Sequence, residues 1–306
     1  MEHRSIGSLS VSVVGVGCNN FGKRLDQAGS AAVVHAALES GVNFFDTADV
    51  YGETLSETYL GAALKTRRAE AVIATKFGMP LDETRFGARP EYVAAACEDS
   101  LRRLGIETID LYQLHYPDPQ VPIEETLGAL GELVVAGKVR EIGCSNLTGA
   151  QLRAAAAAAN AGPGFVSVQN QYSLLAREPE TDGVLEACAE LEVAFLPFYP
   201  LANGLLTGKV RPNEAVPADS RLASMPPERS AHWLSDEMRE RVHALVALAE
   251  EVRVPLLSLA FSWLLSHSAV ASVIAGASNP AQVAANAAAP RALSAELIRR
   301  LNVATS

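Results

Sequence analysis

Short apolar runs alternate with longer amphipathic segments along nearly the whole chain. The short runs are rich in β-branched residues, which favours strands, and the longer segments have the periodicity of helices. The predicted strands are Val13–Gly17, Asn43–Ala48, Val72–Phe77, Asp110–His115, Glu141–Asn146, Phe165–Asn170, Ala194–Tyr199 and Ser272–Ala277. The segments with helical periodicity include Ala31–Leu38, Glu91–Leu104, Glu124–Val135 and Met238–Glu250.

The alternation predicts a parallel sheet, because a helix between two strands returns the chain to run in the same direction. Eight such units in 306 residues predict an α/β fold of the (β/α)8, or TIM, barrel type. A doubly wound open sheet is the structural alternative. We expect one domain over residues 1–306, since barrels of this length are routinely single domains and no low-complexity linker interrupts the chain.

Two segments depart from this repeat. Residues 3–12 precede the first buried strand and alternate apolar with polar positions around Gly7, which predicts a small β-hairpin at the bottom of the barrel. Residues 202–232 form a long connection after the seventh strand that is rich in Gly, Pro, Asn and Ser. Loops of that length usually have a function or are disordered.

The composition supports a large core and argues against polyanionic partners. Hydrophobic residues make up 49% of the chain. Lys and Arg number 25 against 35 Asp and Glu, so the formal net charge is −10 and the chain lacks the positive surface of a nucleic-acid binder. We find no secretory pattern at the N-terminus and no uninterrupted apolar run long enough to span a membrane. We therefore expect neither nucleic acid nor membrane as a partner, and a cytoplasmic location.

The cysteines do not have the spacing of a metal site. Cys18, Cys97, Cys144 and Cys188 lie far apart without a CxxC pair, so we interpret them as small buried hydrophobic residues rather than disulfide or zinc partners. No cluster of His, Asp and Glu has convincing metal spacing, and no G-x-G-x-x-G follows a strand and opens a helix. We expect no metal and no Rossmann-type cofactor site.

Polar residues stand at the ends of successive predicted strands, where active sites of (β/α)8 barrels form. Asp46 ends the second strand, and Tyr51 follows in the next loop. Lys76 and His115 end the third and fourth strands. Taken singly, these residues have structural explanations, as a helix cap, a half-buried aromatic, a solvated strand end and a core histidine. Burying such groups without partners would cost roughly 2–7 kcal/mol each, so their recurrence at matching positions favours a catalytic group.

These four side chains suit the chemistry of a carbonyl group. A free phenol has a pKa of about 10, and the ammonium of Lys76 would lower the pKa of Tyr51. Asp46 would keep Lys76 charged and oriented, and His115 would hydrogen-bond a substrate carbonyl oxygen. The pattern predicts that Tyr51 protonates that oxygen as hydride arrives at the carbon.

Several segments resemble those of the aldo-keto reductases. They are NFFDTADVYG (43–52), VIATKFG (72–78), DLYQLH (110–115), VREIGCSN (139–146), FYPLANGLLTGK (198–209) and VIAGASNPAQVAAN (273–286). The likeness covers nearly the whole chain in order. It implies a (β/α)8 barrel, NAD(P)H-dependent reduction of a carbonyl, and a catalytic tetrad of Asp46, Tyr51, Lys76 and His115.

The resemblance also assigns a cofactor site. Ser145, Asn146 and Gln169 match residues that hydrogen-bond the nicotinamide carboxamide, and Tyr199 matches the aromatic that stacks on its ring. The segment after Tyr199 resembles the loop along the pyrophosphate, and Arg221 resembles an arginine that contacts a cofactor phosphate. The cofactor residues predicted in this way are Ser145, Asn146, Gln169, Tyr199, Pro200, Leu201, Gly204, Leu206, Gly208, Lys209, Arg221, Gly276, Ser278, Gln282 and Asn286.

The segment from Gly276 to Asn286 resembles the loop and helix that hold the adenosine phosphate. By this resemblance, Ser278 and Gln282 would hydrogen-bond a 2′-phosphate, and Asn286 the adenine. Many members of the family have a lysine at position 276 and an arginine near position 282, and this chain has neither. We expect NADPH, because Gly-Ala-Ser loops of this kind occur in NADPH-using branches, with NADH as the alternative.

Candidates for the substrate pocket lie near the predicted strand ends. They are Cys18, Asn20, Phe21, Phe77 and Tyr116. Core packing explains the two phenylalanines equally well. The polar groups of the asparagine and the tyrosine leave room for a hydroxylated compound, so the expected substrate is a small aldehyde, ketone or ketosugar.

Two other functions fit part of the pattern. Lys76 on a barrel strand suits a Schiff-base aldolase, although the neighbouring Asp46 opposes this by keeping the lysine charged. A non-catalytic redox sensor that binds the cofactor, like the potassium-channel β subunits of this superfamily, is the second alternative. No interaction helix or extra domain in the sequence favours it, and no feature of the sequence indicates an oligomeric state.

Overall fold

A computed structural model describes residues 1–159, 162–210 and 222–305. Its strands are β1 (His3–Ile6), β2 (Leu9–Ser12), β3 (Val14–Gly17), β4 (Phe44–Asp46), β5 (Val72–Phe77), β6 (Ile109–Leu114), β7 (Val139–Ser145), β8 (Ser167–Gln171), β9 (Ala194–Phe198) and β10 (Val273–Gly276). Strands β3 to β10 pair in parallel and close into a barrel. The predicted barrel is confirmed and the open sheet is excluded, because β10 pairs with both β3 and β9.

Helices surround this barrel, and the four segments predicted from periodicity lie inside four of them. The helices are α1 (Gln27–Glu39), α2 (Leu55–Leu64), α3 (Pro90–Leu104), α4 (Ile123–Val135), α5 (Gly149–Ala158), α6 (Val184–Leu191), α7 (Pro227–Ser230), α8 (Asp236–Val252), α9 (Leu256–Leu265), α10 (Pro280–Ala287) and α11 (Ala295–Ala304). Local sequence defines several ends. A capping box of Thr148 and Gln151 begins α5, and Gly105, at φ 66°, ends α3 in the left-handed conformation that glycine adopts without strain.

The predicted N-terminal hairpin is confirmed, and it closes one end of the barrel. β1 and β2 pair antiparallel with Ile6 opposite Leu9. Both residues pack in the barrel interior with Phe44 and Leu111. The backbone N–H of Ser8 in the hairpin turn donates to a carboxylate oxygen of Glu141 on β7 at 2.8 Å. The apolar face of the hairpin thus fills the end of the barrel at which the strands begin.

The register of the strands places polar side chains in one layer at the other end. Side chains alternate between the two faces of a strand, so Lys76 faces the barrel interior as Ala74 does. Lys76 pairs in register with Gln113 on β6, and Gln113 pairs with Gly143 on β7. A second apolar layer between the barrel and the helices takes the outward-facing side chains, such as Phe77.

The long connection after β9 contains short helices in its described parts. Short 3-10 turns cover Ala202–Thr207 and are interrupted by a kink at Asn203 and Gly204, and α7 precedes another 3-10 turn at His232–Leu234. The Arg24 guanidinium, in the loop after β3, donates to the Ser224 hydroxyl. The connection therefore contacts the loop after β3. Arg221, predicted to contact a cofactor phosphate, lies outside the described residues.

Candidate active site

The four predicted catalytic side chains converge where the barrel strands end. Asp46 is the last residue of β4, Lys76 lies near the end of β5, and His115 follows β6. These three residues are only 3%, 0% and 6% exposed, respectively. The Tyr51 ring lies 5.2 Å from Lys76 Nζ and 5.8 Å from the His115 ring, measured to the ring centroids. Tertiary structure thus brings together residues from three successive strand ends.

A buried ion pair lies beside Tyr51. Lys76 Nζ donates to Asp46 Oδ2 at 2.6 Å and to the Thr47 carbonyl oxygen at 2.9 Å. Removing a charge from water is costly, and the cost is offset only when a partner charge and hydrogen bonds replace the water. The pair therefore holds an ammonium next to the phenol.

Tyr51 retains its proton in this environment. Its pKa is raised well above the ordinary 10.0, first by burial and then by the negative charge of Asp46. The side chain is only partly buried, but enough protein surrounds the phenol for desolvation to dominate. We expected a lowered pKa for Tyr51, and the pKa is raised instead, because burial favours the neutral phenol and the Asp46 carboxylate adds to the rise. A phenol that holds its proton is available as a proton donor.

His115 is a neutral imidazole. Burial, and then the positive charge of Lys76, lower its pKa from 6.5 to about 3. Its ring stacks on Tyr116 with centroids 5.5 Å apart. Nδ1 is buried and has no hydrogen-bond partner among the described residues. A neutral imidazole donates one hydrogen bond, so it is able to orient a carbonyl oxygen without acting as a charged acid.

The loop after β4 holds Tyr51 relative to Lys76. The Asp49 N–H donates to the Lys76 carbonyl oxygen at 3.0 Å, and the Tyr51 N–H donates to the Ala48 carbonyl oxygen at 3.2 Å. Residues 52–54 then turn the chain with φ values of 58°, 55° and 75°. Non-glycine residues with positive φ are strained and occur often at functional sites.

Asp49 is a buried acid that the sequence analysis missed. It has no exposed surface, and neither carboxylate oxygen has a hydrogen-bond partner among the described residues. Burial, and then the negative charge of Glu57, raise its pKa from 3.8 to about 7, while Arg103 and the nearby Val50 N–H counteract part of the rise. A carboxyl group that titrates near neutral pH thus lies two residues from Tyr51. Its position inside the DTADVYG segment gave no sign that it is buried.

The three predicted carboxamide ligands lie together at the ends of β7 and β8. The Ser145 hydroxyl donates to the Gln169 carbonyl oxygen at 2.7 Å. Asn146, in a left-handed conformation at φ 61°, donates from Nδ2 to Ser145 Oγ at 3.0 Å and to the His115 carbonyl oxygen at 2.9 Å. Asn146 therefore also holds the backbone of His115, the residue that follows β6.

Gln113 is a second polar residue that the sequence analysis missed. Its Nε2 donates to Asp46 Oδ1 at 3.2 Å, and Gln169 Nε2 donates to the same oxygen at 2.8 Å. The two carboxamides also meet, with Gln169 Nε2 and Gln113 Oε1 3.4 Å apart. The signal available in the sequence is that Gln113 precedes His115 by two positions on a strand.

The segment that follows β9 is folded by left-handed residues. Tyr199, Ala202 and Asn203 have φ values of 50°, 45° and 57°, and Gly204 has φ 105°. A Cβ on Gly204 would meet no described atom within 4 Å, so its backbone is open to a ligand. This open, strained backbone fits the approach of a dinucleotide pyrophosphate. Of the other residues predicted here, Pro200 and Leu206 are buried, Leu201 and Gly208 are half-buried, and Lys209 is exposed.

The segment after β10 is held by Gln282. The N–H and the hydroxyl of Ser278 both donate to Gln282 Oε1, at 2.9 Å and 3.1 Å. Asn279 caps α10 by accepting the Gln282 N–H at 3.0 Å. A neutral carboxamide thus engages the two Ser278 donors that are predicted to meet a phosphate. The other predicted residues here are Gly276, which is exposed, and Asn286, which is buried.

The residues predicted to line the substrate pocket divide into two groups. Tyr116 is 49% exposed, and Asn20 is half-buried. Cys18, Phe21 and Phe77 have no exposed surface. The two phenylalanines belong to the apolar layer between the barrel and the helices. Tyr116 and Asn20 therefore have surface to offer a substrate, and the three buried residues have none.

The cysteines are free and buried, as the sequence predicts. Within the described ranges, no group of three or more His, Cys, Asp and Glu side chains is arranged to hold a metal ion. None of the described helices is both long enough and apolar enough to cross a membrane.

The chain is similar to known proteins along most of its length. Residues 13–304 match the model of the Aldo/keto reductase family. A protein of Glycine max named "Probable aldo-keto reductase 1" is 35% identical over 267 residues, which cover 85% of this chain and 75% of that protein. The solved holo form of aldo-keto reductase AKR11C1 from Bacillus halodurans is 32% identical, with a TM-score of 0.82 over 100% of this chain and 97% of that one.

Proposed function

Since the chain belongs to the aldo-keto reductase family and is therefore a nicotinamide-dependent oxidoreductase that acts on carbonyl groups, we propose that it reduces a small aldehyde, ketone or ketosugar. We propose NADPH as the cofactor and Tyr51 as the proton donor. One observation carries this proposal. Lys76 Nζ is bound to Asp46 at 2.6 Å and lies 5.2 Å from the centroid of the Tyr51 ring. An ammonium in this position stabilises a phenolate that forms during the reaction.

The side chains act on the carbonyl oxygen. The bound nicotinamide supplies the hydride that reduces the carbonyl carbon. Tyr51 donates the proton to the oxygen, since its phenol is neutral in the resting site. Lys76 stabilises the negative charge that develops on Tyr51, and Asp46 keeps Lys76 charged. His115, which is neutral at physiological pH, donates a hydrogen bond that directs the carbonyl oxygen toward Tyr51.

We assign Ser145, Asn146 and Gln169 to the nicotinamide carboxamide and Tyr199 to the face of the ring. Their clustering at the ends of β7, β8 and β9 supports the assignment, because these strands are neighbours in the barrel. The open backbone at Gly204 supports a path for the pyrophosphate along the connection after β9.

NADPH is the proposed cofactor, with Ser278 as the residue that meets the 2′-phosphate. Its N–H and hydroxyl point at one acceptor, Gln282 Oε1, as they would at a phosphate oxygen. Initial rates with each cofactor at equal concentration test the choice. A clear advantage for NADH would refute it.

We propose a small hydroxylated carbonyl compound as the substrate. Tyr116 offers an exposed aromatic face stacked on His115, and Asn20 offers an amide near the loop after β10. An aromatic face and an amide together suit a sugar, which has both apolar C–H faces and hydroxyl groups.

A screen of aldehydes, ketones and ketosugars, followed by cofactor absorbance, tests the activity. Tyr51→Phe should lower turnover roughly 10²–10⁴-fold, the usual contribution of a positioned acid, with little change in cofactor affinity. Tyr59→Phe makes the same change on a half-buried tyrosine of α2 and should leave turnover unchanged. Wild-type turnover in Tyr51→Phe would refute the role of Tyr51.

The ion pair opposes the Schiff-base alternative. A lysine must present a free, neutral amine to attack a carbonyl, and Lys76 Nζ is instead engaged by Asp46 Oδ2 at 2.6 Å and by the Thr47 carbonyl oxygen at 2.9 Å. Borohydride treatment in the presence of substrate should therefore leave Lys76 unmodified. Mass-spectrometric detection of a reduced adduct on Lys76 would favour the aldolase.

A further inference from the structure

Three buried polar side chains form a closed hydrogen-bonded triangle beside Lys76. Asp46 Oδ1 accepts from Gln169 Nε2 at 2.8 Å and from Gln113 Nε2 at 3.2 Å, and Gln113 Oε1 accepts from Gln169 Nε2 at 3.4 Å. Asp46 Oδ2 is bound by Lys76. A carboxylate paired with an ammonium only accepts hydrogen bonds, so both glutamines must turn Nε2 toward Asp46.

The triangle decides which polar atom of Gln169 remains for a ligand. Its Nε2 has two hydrogens, and these are taken by Asp46 and by Gln113. The remaining polar atom of the side chain is Oε1, which only accepts. An acceptor complements the NH2 of a nicotinamide carboxamide and does not attract a group that lacks a donor.

The barrel makes room for Gln113 in this position. Gln113 lies opposite Gly143 in the β6–β7 register. A Cβ at position 143 would lie 3.2 Å from Gln113 Cγ and 2.5 Å from Ser167 Oγ, closer than side chains normally pack. Gln113 has no exposed surface, so its amide depends on Asp46 and Gln169 for partners instead of water.

We propose that Gln113 is a positioning residue that makes Gln169 present only its Oε1 to the cofactor carboxamide, an inference that rests on the proposed cofactor role of Gln169. Without Gln113 Oε1, the second N–H of Gln169 is buried without a partner. The Gln169 amide then rotates to find one, and Oε1 no longer faces the cofactor in a single orientation. Gln113 therefore contributes to recognition of the cofactor without contact with it.

A cofactor analogue without the NH2 group reports on this orientation. In the 3-acetylpyridine analogue of NADP+, a methyl group replaces the NH2 and the carbonyl is retained. Isothermal titration calorimetry should show that the wild-type protein binds NADP+ about three- to tenfold more tightly than the analogue, the net worth of one hydrogen bond. In Gln113→Met, which keeps the length of the side chain and removes its amide, the ratio of the two dissociation constants should fall toward one.

Two further variants separate positioning from general damage. Gln27→Met makes the same substitution on an exposed residue of α1 and should keep the wild-type ratio. Gln113→Glu reproduces both contacts when protonated, because its OH donates to Asp46 and its C=O accepts from Gln169. Its ratio should approach the wild-type value at low pH and fall as the carboxyl group ionises, whereas a purely structural role would weaken both ligands alike at every pH.

The outcomes distinguish this inference from the proposed function. A wild-type ratio in Gln113→Met would overturn the role of Gln113. Equal affinity of the wild-type protein for NADP+ and the analogue would overturn the orientation of Gln169. Failure of the wild-type protein to bind NADP+ or NAD+ would overturn the proposed function itself. If Gln113→Met does not fold, as judged by its melting temperature, the pH series on Gln113→Glu decides the question alone.

Discussion

Replacing Asp49 with asparagine should stabilise the protein at neutral and alkaline pH. Asp49 is fully buried, and its carboxylate oxygens have no hydrogen-bond partners among the described residues. Burial, and then Glu57, raise its pKa from 3.8 to about 7. Asparagine keeps the shape of the side chain and does not ionise. The substitution therefore removes the cost of placing a negative charge at this position.

The direction of the effect depends on which state of the chain binds the proton. Between about pH 4 and pH 7, Asp49 is ionised in the unfolded chain but protonated in the folded protein, so the free energy of unfolding falls as pH rises. Below this range both states bind the proton, and above it neither does. At about 1.36 kcal/mol per pKa unit, the rise from 3.8 to about 7 corresponds to about 4 kcal/mol, lost progressively across the range.

Urea unfolding at constant ionic strength, followed by tryptophan fluorescence from about pH 5 to about pH 8, measures this effect. The stability difference between Asp49→Asn and the wild-type protein should grow with pH and level off above about pH 7. Glu53→Gln removes an exposed carboxylate from the same loop and should change stability by less than about 0.5 kcal/mol throughout. If Asp49→Asn changed the free energy of unfolding by the same amount at about pH 5 and about pH 8, the reasoning would be refuted.

Three further substitutions test other parts of the structure. Lys76→Met should abolish turnover and lower the free energy of unfolding by roughly 3–5 kcal/mol, because the buried Asp46 loses its charged partner; wild-type stability in urea would contradict this. Gln282→Arg removes an acceptor and adds a cation, so the preference for NADP+ over NAD+, measured by calorimetry as the ratio of their dissociation constants, should rise roughly tenfold to a hundredfold. An unchanged ratio would count against the phosphate site. Asp110→Asn weakens the contacts of a buried carboxylate to Arg68 at 2.7 Å and to Arg140 at 3.0 Å. It should lower the melting temperature and leave kcat unchanged, because Asp110 lies at the opposite end of the barrel; reduced kcat at full stability would be contrary to expectation.

The local sequence pattern predicts a strand or an amphipathic helix when the burial of its side chains follows the periodicity of that element. Residues 72–77 form a strand as their sequence predicts, and the barrel interior and the helix layer bury nearly all of its side chains. Periodicity fails for α9, whose residues are almost all buried, since a helix that is apolar on every side has no stripe to detect.

The proximity of Asp46, Tyr51, Lys76 and His115 was predictable because the barrel topology brings successive strand ends together. Gln113 and Asp49 were not predictable in the same way. The segment DLYQLH does not indicate whether Gln113 contacts water or Asp46, and the segment DTADVYG does not indicate whether Asp49 is solvated or buried. The predicted direction of the Tyr51 pKa shift was wrong because burial, which contributes most to the shift, is decided by tertiary structure.

The sequence by itself determined the order of the elements, the closed barrel they build and the chemical types that meet at its end, because these depend on short-range periodicity and on chain direction. Tertiary structure decided which atoms face one another and which protons they hold. Asp46 and Gln169 are 123 residues apart along the chain and 2.8 Å apart in space. Hydrogen bonds and desolvation act over such short distances that folding must first bring the groups together.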